Sequence, residues 1–136
     1  MKRLFLKIFQ NKKLAVGLAI VCTAIIFIAC LTPSSRVPKV NVPMMDKWVH
    51  FLAFGGFAFA WACTLKKAGF INLLALVAMS VFTGWIIELL QMSGITRGRS
   101  YENMDIVADG IGGLLGIAFF AIMYRVSRKD MIEKDE

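Results

Sequence analysis

LAVGLAIVCTAIIFIACL, Leu14 to Leu31, is an eighteen-residue run without a charge. A helix rises about 1.5 Å per residue, so this run reaches about 27 Å. The hydrocarbon core of a bilayer is roughly 30 Å thick. The run therefore predicts a membrane-spanning helix.

Working outward, three more apolar runs follow at about 48–65, 70–90 and 106–124. Each holds about 18 to 21 residues, enough to cross. The 136-residue chain is 58% hydrophobic and 18% charged, with its charges in short clusters between the runs. That pattern is a polytopic membrane protein. The expected fold is all-α, with four transmembrane helices packed as one small bundle and a single domain over residues 1–136. A secretory signal is the weaker alternative for the first run, which exceeds the usual h-region of roughly 7–15 residues. Phe27 to Cys30, FIAC, also has the outline of a lipoprotein cleavage site, with an aromatic where an aliphatic residue is usual.

The formal charge of +7 does not point to nucleic acid, because no basic stripe interleaves with aromatics. Basic residues instead flank the runs and orient them. Lys2, Arg3, Lys7, Lys12, Lys13, Lys66, Lys67, Arg125, Arg128, Lys129 and Lys134 fall on one side. Arg36, Lys39, Lys47, Arg97 and Arg99 fall on the other. The richer side is expected to be cytoplasmic, with both termini. Cys22, Cys30 and Cys63 all lie in apolar runs, so they read as small core residues rather than a disulfide framework.

The connectors differ in character. Thr32 to Lys47 holds all three prolines, Pro33, Pro38 and Pro43, and reads as an extended outer loop. Lys66 to Gly69 reads as a tight turn. Ser93 to Asp105 reads as a polar, glycine-containing outer loop.

Placing polar residues by depth collects them at one level. Asp46 and His50 open the second run, Glu88 and Gln91 close the third, and Asp105 and Asp109 open the fourth. Asp46 and His50 are four apart and share a helix face, so the carboxylate is expected to orient the imidazole. Glu88 and Gln91, three apart, are expected to pair likewise. Asp105, Asp109, Gly112 and Gly116 form one stripe, and the glycine pair allows another helix to approach closely. Lys47, Arg97 and Arg99 supply cations beside these acids. The expected site is an outward-facing polar cup around His50, the sole histidine. The plain structural alternatives are an interfacial histidine, acids at a helix N-terminus and headgroup anchors. His50, Glu88, Asp46 and Asp109 have metal-ligating side chains, but their spacing matches no zinc motif, so neither a metal nor another cofactor is expected. Ser93 and Ser100 sit in no nucleophile elbow.

DKWVHF, then ELLQ, then GRSYENMDIVADGIGGLLG together resemble the VanZ-like family of integral membrane proteins. The resemblance covers about residues 46–116. It puts Asp46, Lys47, His50, Phe51, Glu88, Gln91, Arg99, Asp105 and Gly110 on motif positions. Asp109 departs from it, since the family often has Asn there. The family is associated with teicoplanin resistance, which implies a ligand met outside the membrane and a multi-pass protein of a bacterial cytoplasmic membrane.

Two functions are compatible with such a cup. In the first, Lys47, Gln91, Arg97, Arg99, Asp105 and Asp109 bind a lipid headgroup, a cell-wall precursor or a glycopeptide antibiotic. In the second, the protein is a membrane enzyme acting on a lipid-linked substrate. His50, oriented by Asp46, and Glu88 would then be the acid and base. A proton-coupled transporter would need an acid near the midplane, where none is found.

Overall fold

The computed structural model describes residues 1–37, 42–65 and 69–132, with side chains described as far as Ser127. The Lys66–Lys67 turn, the Pro38–Lys39 part of the outer loop and Lys134 lie outside the described residues. Every regular element among those described is helical. They are α1 (Lys2–Gln10), α2 (Lys12–Cys30), α3 (Met45–Ala62), α4 (Phe70–Met92) and α5 (Asn103–Ile132), with a 3-10 turn at Ser34–Arg36.

The break between α1 and α2 is local. Asn11 adopts an extended backbone, and its side chain accepts from the Leu14 amide at 3.1 Å, which caps α2. Upstream, α1 is a separate amphipathic helix that the span reading leaves unassigned. Phe5 and Leu6 are buried, and the Phe5 ring stacks on Phe9 at 5.6 Å and meets Phe120 edge-on at 5.8 Å. The spacing of Phe5, Ile8 and Phe9 is the helical one for an apolar face.

Among the described residues three helices are long and apolar enough to cross a membrane: α2, α4 and α5 over Asn103–Ser127. The second expected run, as α3, is not one of them. Its 18 residues include Asp46, Lys47 and His50 within the first two turns, and these dilute an otherwise apolar helix. At the far end α5 continues past Tyr124 to Ile132, because no glycine or proline interrupts it.

The bundle is built around α3 and α5, whose backbones touch. A Cβ at Gly112 would lie 2.2 Å from the Phe51 carbonyl oxygen, and one at Gly116 would lie 2.1 Å from that of Gly55. Only glycine permits this approach, so the expected small-residue stripe is the seam. Phe54, Phe57 and Ile87 fill one core cluster, and Ala58, Phe120 and Leu76 belong to a second toward the α1 end. Large apolar side chains also cover the outside, including Ile28, Leu52, Phe70, Ile71 and Ile122. Such a surface is unstable in water and ordinary in lipid.

The α3–α5 seam fixes where the site forms. It holds the first turns of α3 and α5 side by side, next to the last turns of α4 and the end of α2.

Candidate functional site

The outermost contact is a lysine shared by three carboxylates. Lys47 Nζ, half-buried in the first turn of α3, donates to Asp46 Oδ2 (2.5 Å), Glu102 Oε2 (2.7 Å) and Asp105 Oδ1 (3.0 Å). The hydrogen bond from Lys47 holds the Asp46 carboxyl below its usual range. Burial acts to lower Lys47, but its bonds to Asp46, Glu102 and Asp105 outweigh that and raise it. Asp105 also suits the positive end of the α5 dipole.

One turn deeper, His50 is 3% exposed and Asp109 is 0% exposed. His50 Nδ1 lies 2.9 Å from Asp109 Oδ1. A carboxylate only accepts, so Nδ1 carries the hydrogen. His50 Nε2 lies 3.8 Å from Asp105 Oδ2 and 3.9 Å from Cys30 Sγ. The imidazole is stacked on Phe54. The Asp109 carboxylate is seated on Gly84 of α4, where a Cβ would come within 2.0 Å of Oδ2.

Glu88 and Gln91 reach different partners. The Glu88 Oε2 atom accepts from the Glu102 amide at 2.7 Å, at the mouth of α5. Gln91 Nε2 donates to the Cys30 carbonyl at 2.8 Å, which satisfies one of the orphan acceptors at the end of α2. The two outer loops are tied together. The Ser34 amide donates to the Arg97 carbonyl at 3.2 Å, and Arg99 Nε donates to the Thr32 carbonyl at 3.4 Å.

Most of the expected cup residues therefore meet, with three differences. Asp46 does not orient His50. It lies at the exposed rim and is drawn to its neighbour Lys47, while the ring turns inward to Asp109. Glu88 and Gln91 do not pair with each other, because each has a backbone partner on another element. Arg97 takes part through its carbonyl, and its side chain is exposed.

A cavity of about 520 Å³ opens beside this cluster. Arg36, Arg99, Asp46 and His50 supply its polar wall, and Ala29, Val37, Met45 and Val49 supply its apolar wall. Such a volume is within the usual range for a small-ligand site. His50, Glu88 and Asp105 also each bring one metal-ligating atom within 4.8 Å of the others, all three being buried. A second, more exposed group is Asp46, Glu102 and Asp105.

The span reading missed Cys30, Arg36, Glu102 and Gly84. Gly84 had a signal, since it stands four residues before Glu88 and hence on the same face of α4. Arg36 and Cys30 had none, because only the return of the outer loop brings them beside His50. Compared with protein-family models, with curated proteins and with solved structures, the chain matches none.

Proposed function

We propose that the chain is a multi-pass membrane protein of the VanZ-like type that binds an anionic amphiphile at its outward face. The single observation that carries this reading is the cavity, which joins two guanidinium groups and a buried imidazole to an apolar wall. Guanidinium suits phosphate or carboxylate, and an apolar wall suits the adjoining acyl or glycerol part of a lipid. An anionic membrane lipid and a lipid-linked cell-wall precursor have this anionic, amphiphilic chemistry, and a glycopeptide antibiotic would meet the same wall through its carboxylate.

In this reading α3 is the fourth crossing. It runs beside α5 from the His50–Asp109 contact to the Phe59–Phe120 contact, about half of the apolar stretch of α5 over Asn103–Ser127. Its span begins after Lys47. The termini lie in the cytoplasm of a bacterial cell, by the distribution of Lys and Arg.

The test is lipid retention. Purified protein is delivered to native mass spectrometry with phosphatidylglycerol or with phosphatidylcholine. The expected result is adducts of the anionic lipid that fall at least about tenfold in Arg36→Ala and Arg99→Ala. Equal retention of both lipids by all three proteins overturns the reading.

A second reading rests on the buried His50–Asp109 pair. A histidine oriented by a carboxylate and open to a cavity is also the arrangement of a general base. In it, His50 and Glu88 act on a lipid-linked substrate, with Asp109 taking the orienting part expected of Asp46. An enzyme loses turnover in His50→Ala while keeping substrate binding. A protein whose phenotype survives His50→Ala and is abolished by Arg99→Ala is a binder alone.

A further inference from the structure

The polar cluster carries more negative than positive charge. Five carboxylates, Asp46, Glu88, Glu102, Asp105 and Asp109, join Lys47 and His50 in one contact network. Lys47 is already shared by Asp46, Glu102 and Asp105. Glu88 and Asp109 are each 0% exposed, and Glu88 Oε1 and Asp109 Oδ2 have no hydrogen-bond partner among the described residues. Buried carboxylates with an empty lone-pair direction are costly, and they call for an explanation.

The histidine has the matching polarity. Its Nδ1 hydrogen is used on Asp109, so a neutral ring presents the Nε2 lone pair toward Asp105. A carboxylate behind one imidazole nitrogen is the usual outer-shell arrangement of a metal-bound histidine, and the other nitrogen here meets only the weak Cys30 thiol contact at 3.9 Å besides Asp105. His50, Glu88 and Asp105 then come from three helices and bring their ligand atoms within 4.8 Å of one another. Around an ion about 2.1 Å from each, tetrahedral ligands sit about 3.4 Å apart. The 3.8 Å between His50 Nε2 and Asp105 Oδ2 is near that value. Closing the set takes side-chain shifts on the order of 1 Å.

We propose that His50 Nε2, Glu88 and Asp105 bind one divalent metal ion of the zinc class, with Asp109 positioning the imidazole. One nitrogen and two carboxylates, with a position left over, is an open zinc-type set. Calcium and magnesium prefer six or more oxygen ligands and fit it less well. His50 also lines the cavity, which gives an ion or a ligand oxygen a route to the site. The ion bridges α3, α4 and α5 and offsets the buried charge of Glu88 and Asp105. Its binding does not depend on the lipid reading.

The experiment uses the full chain in detergent, stripped with chelator and titrated with Zn²⁺ and, separately, Co²⁺. The expected result is about one equivalent bound, with visible d–d bands for Co²⁺. Glu88→Gln weakens binding at least about tenfold, and Asp109→Asn about 10- to 100-fold. Glu102→Gln, which leaves the three ligands and Asp109 in place, changes affinity by less than about twofold. Binding below about 0.1 equivalent without Co²⁺ bands overturns the proposal. So does unchanged affinity in Glu88→Gln, or an equal loss in Glu102→Gln. If Glu88→Gln does not fold, the unaltered chain decides. Zn²⁺ must then raise its melting temperature and EDTA must reverse the rise, and no shift overturns the proposal.

Discussion

Gly84 on α4 and Asp109 on α5 fit together as seat and occupant: a Cβ on Gly84 would stand 2.0 Å from Asp109 Oδ2. The carboxylate fills the space that a side chain would take, and it is held there by His50 at 2.9 Å. The first prediction concerns this seat. Gly84→Ala forces Asp109 away from His50 and is expected to destabilise the bundle by about 1–3 kcal/mol. Gly17→Ala is the control, since nothing lies within 4 Å of its Cβ. Thermal unfolding in detergent, followed by tryptophan fluorescence, measures both. Equal melting temperatures for the two variants would remove the argument for close packing at Gly84.

Asp109→Ala leaves a buried imidazole without its carboxylate. Breaking a buried hydrogen-bonded pair from one side costs about 3–5 kcal/mol. Asp109→Asn retains an acceptor for Nδ1 and is expected to cost less than half as much. Chemical denaturation of the two variants side by side gives the ordering. A larger loss in Asp109→Asn contradicts the assignment of Nδ1–H as donor.

At the α3–α5 seam, Gly112→Ala and Gly116→Ala each place a methyl on a carbonyl oxygen of α3. Overpacking of this kind costs about 1–3 kcal/mol, and these neighbouring changes share one seam, so their sum should not be additive. A disulfide trap between α3 and α5 reports the separation directly. Its rate should fall in both variants and stay unchanged in Gly17→Ala, whose Cβ meets nothing within 4 Å.

The Lys47 knot makes a prediction about pH. Asp46 is held below its ordinary 3.8, so its contribution is present above that value and is lost as pH falls through the lowered one. Lys47 is raised above its ordinary 10.5, so its contribution is full below that value and is lost as pH rises through the raised one. Between about pH 5 and 9.5 the difference in stability between the unaltered chain and Lys47→Met should be flat. Because Asp46 and Glu102 are exposed, that difference is modest, about 1 kcal/mol. A steep slope within the window would show that another titrating group controls the rim.

Much of the architecture was legible from particular runs. Leu14–Leu31 carries no charge and emerges as α2, with Leu31 as its C-cap. The third run emerges as α4. The Gly112–Gly116 spacing announced a close seam, and that seam is there. The second run, 48–65, emerges as α3, which begins at Met45 and so takes Asp46 and Lys47 into the helix. Asp46, Lys47 and His50 keep α3 apart from the three helices that are long and apolar enough to cross. The amphipathic α1 was legible in Phe5, Ile8 and Phe9, but only its basic residues entered the reading, as orienting charges.

The partners within the site were the least legible part. Helical spacing places Asp46 near His50, but it does not say which of them faces water. Asp109 lies 59 positions from His50, and Gln91 lies 61 from the Cys30 carbonyl it satisfies. Helix-face geometry limits which residues share a side and is silent about which helix lies opposite.

The sequence by itself determined that helices form, that apolar runs long enough to cross a bilayer are among them, and that the ionisable groups cluster at one end of the chain's runs. Composition and periodicity decide these, because each is a property of one segment in its solvent. Only the tertiary structure decided that His50 pairs with Asp109, that Glu88 turns to Glu102, and that Arg36 reaches the cavity. Those outcomes depend on how closely α3 and α5 approach through Gly55, Gly112 and Gly116, and a contact between helices is set by their separation and rotation, which no single segment contains.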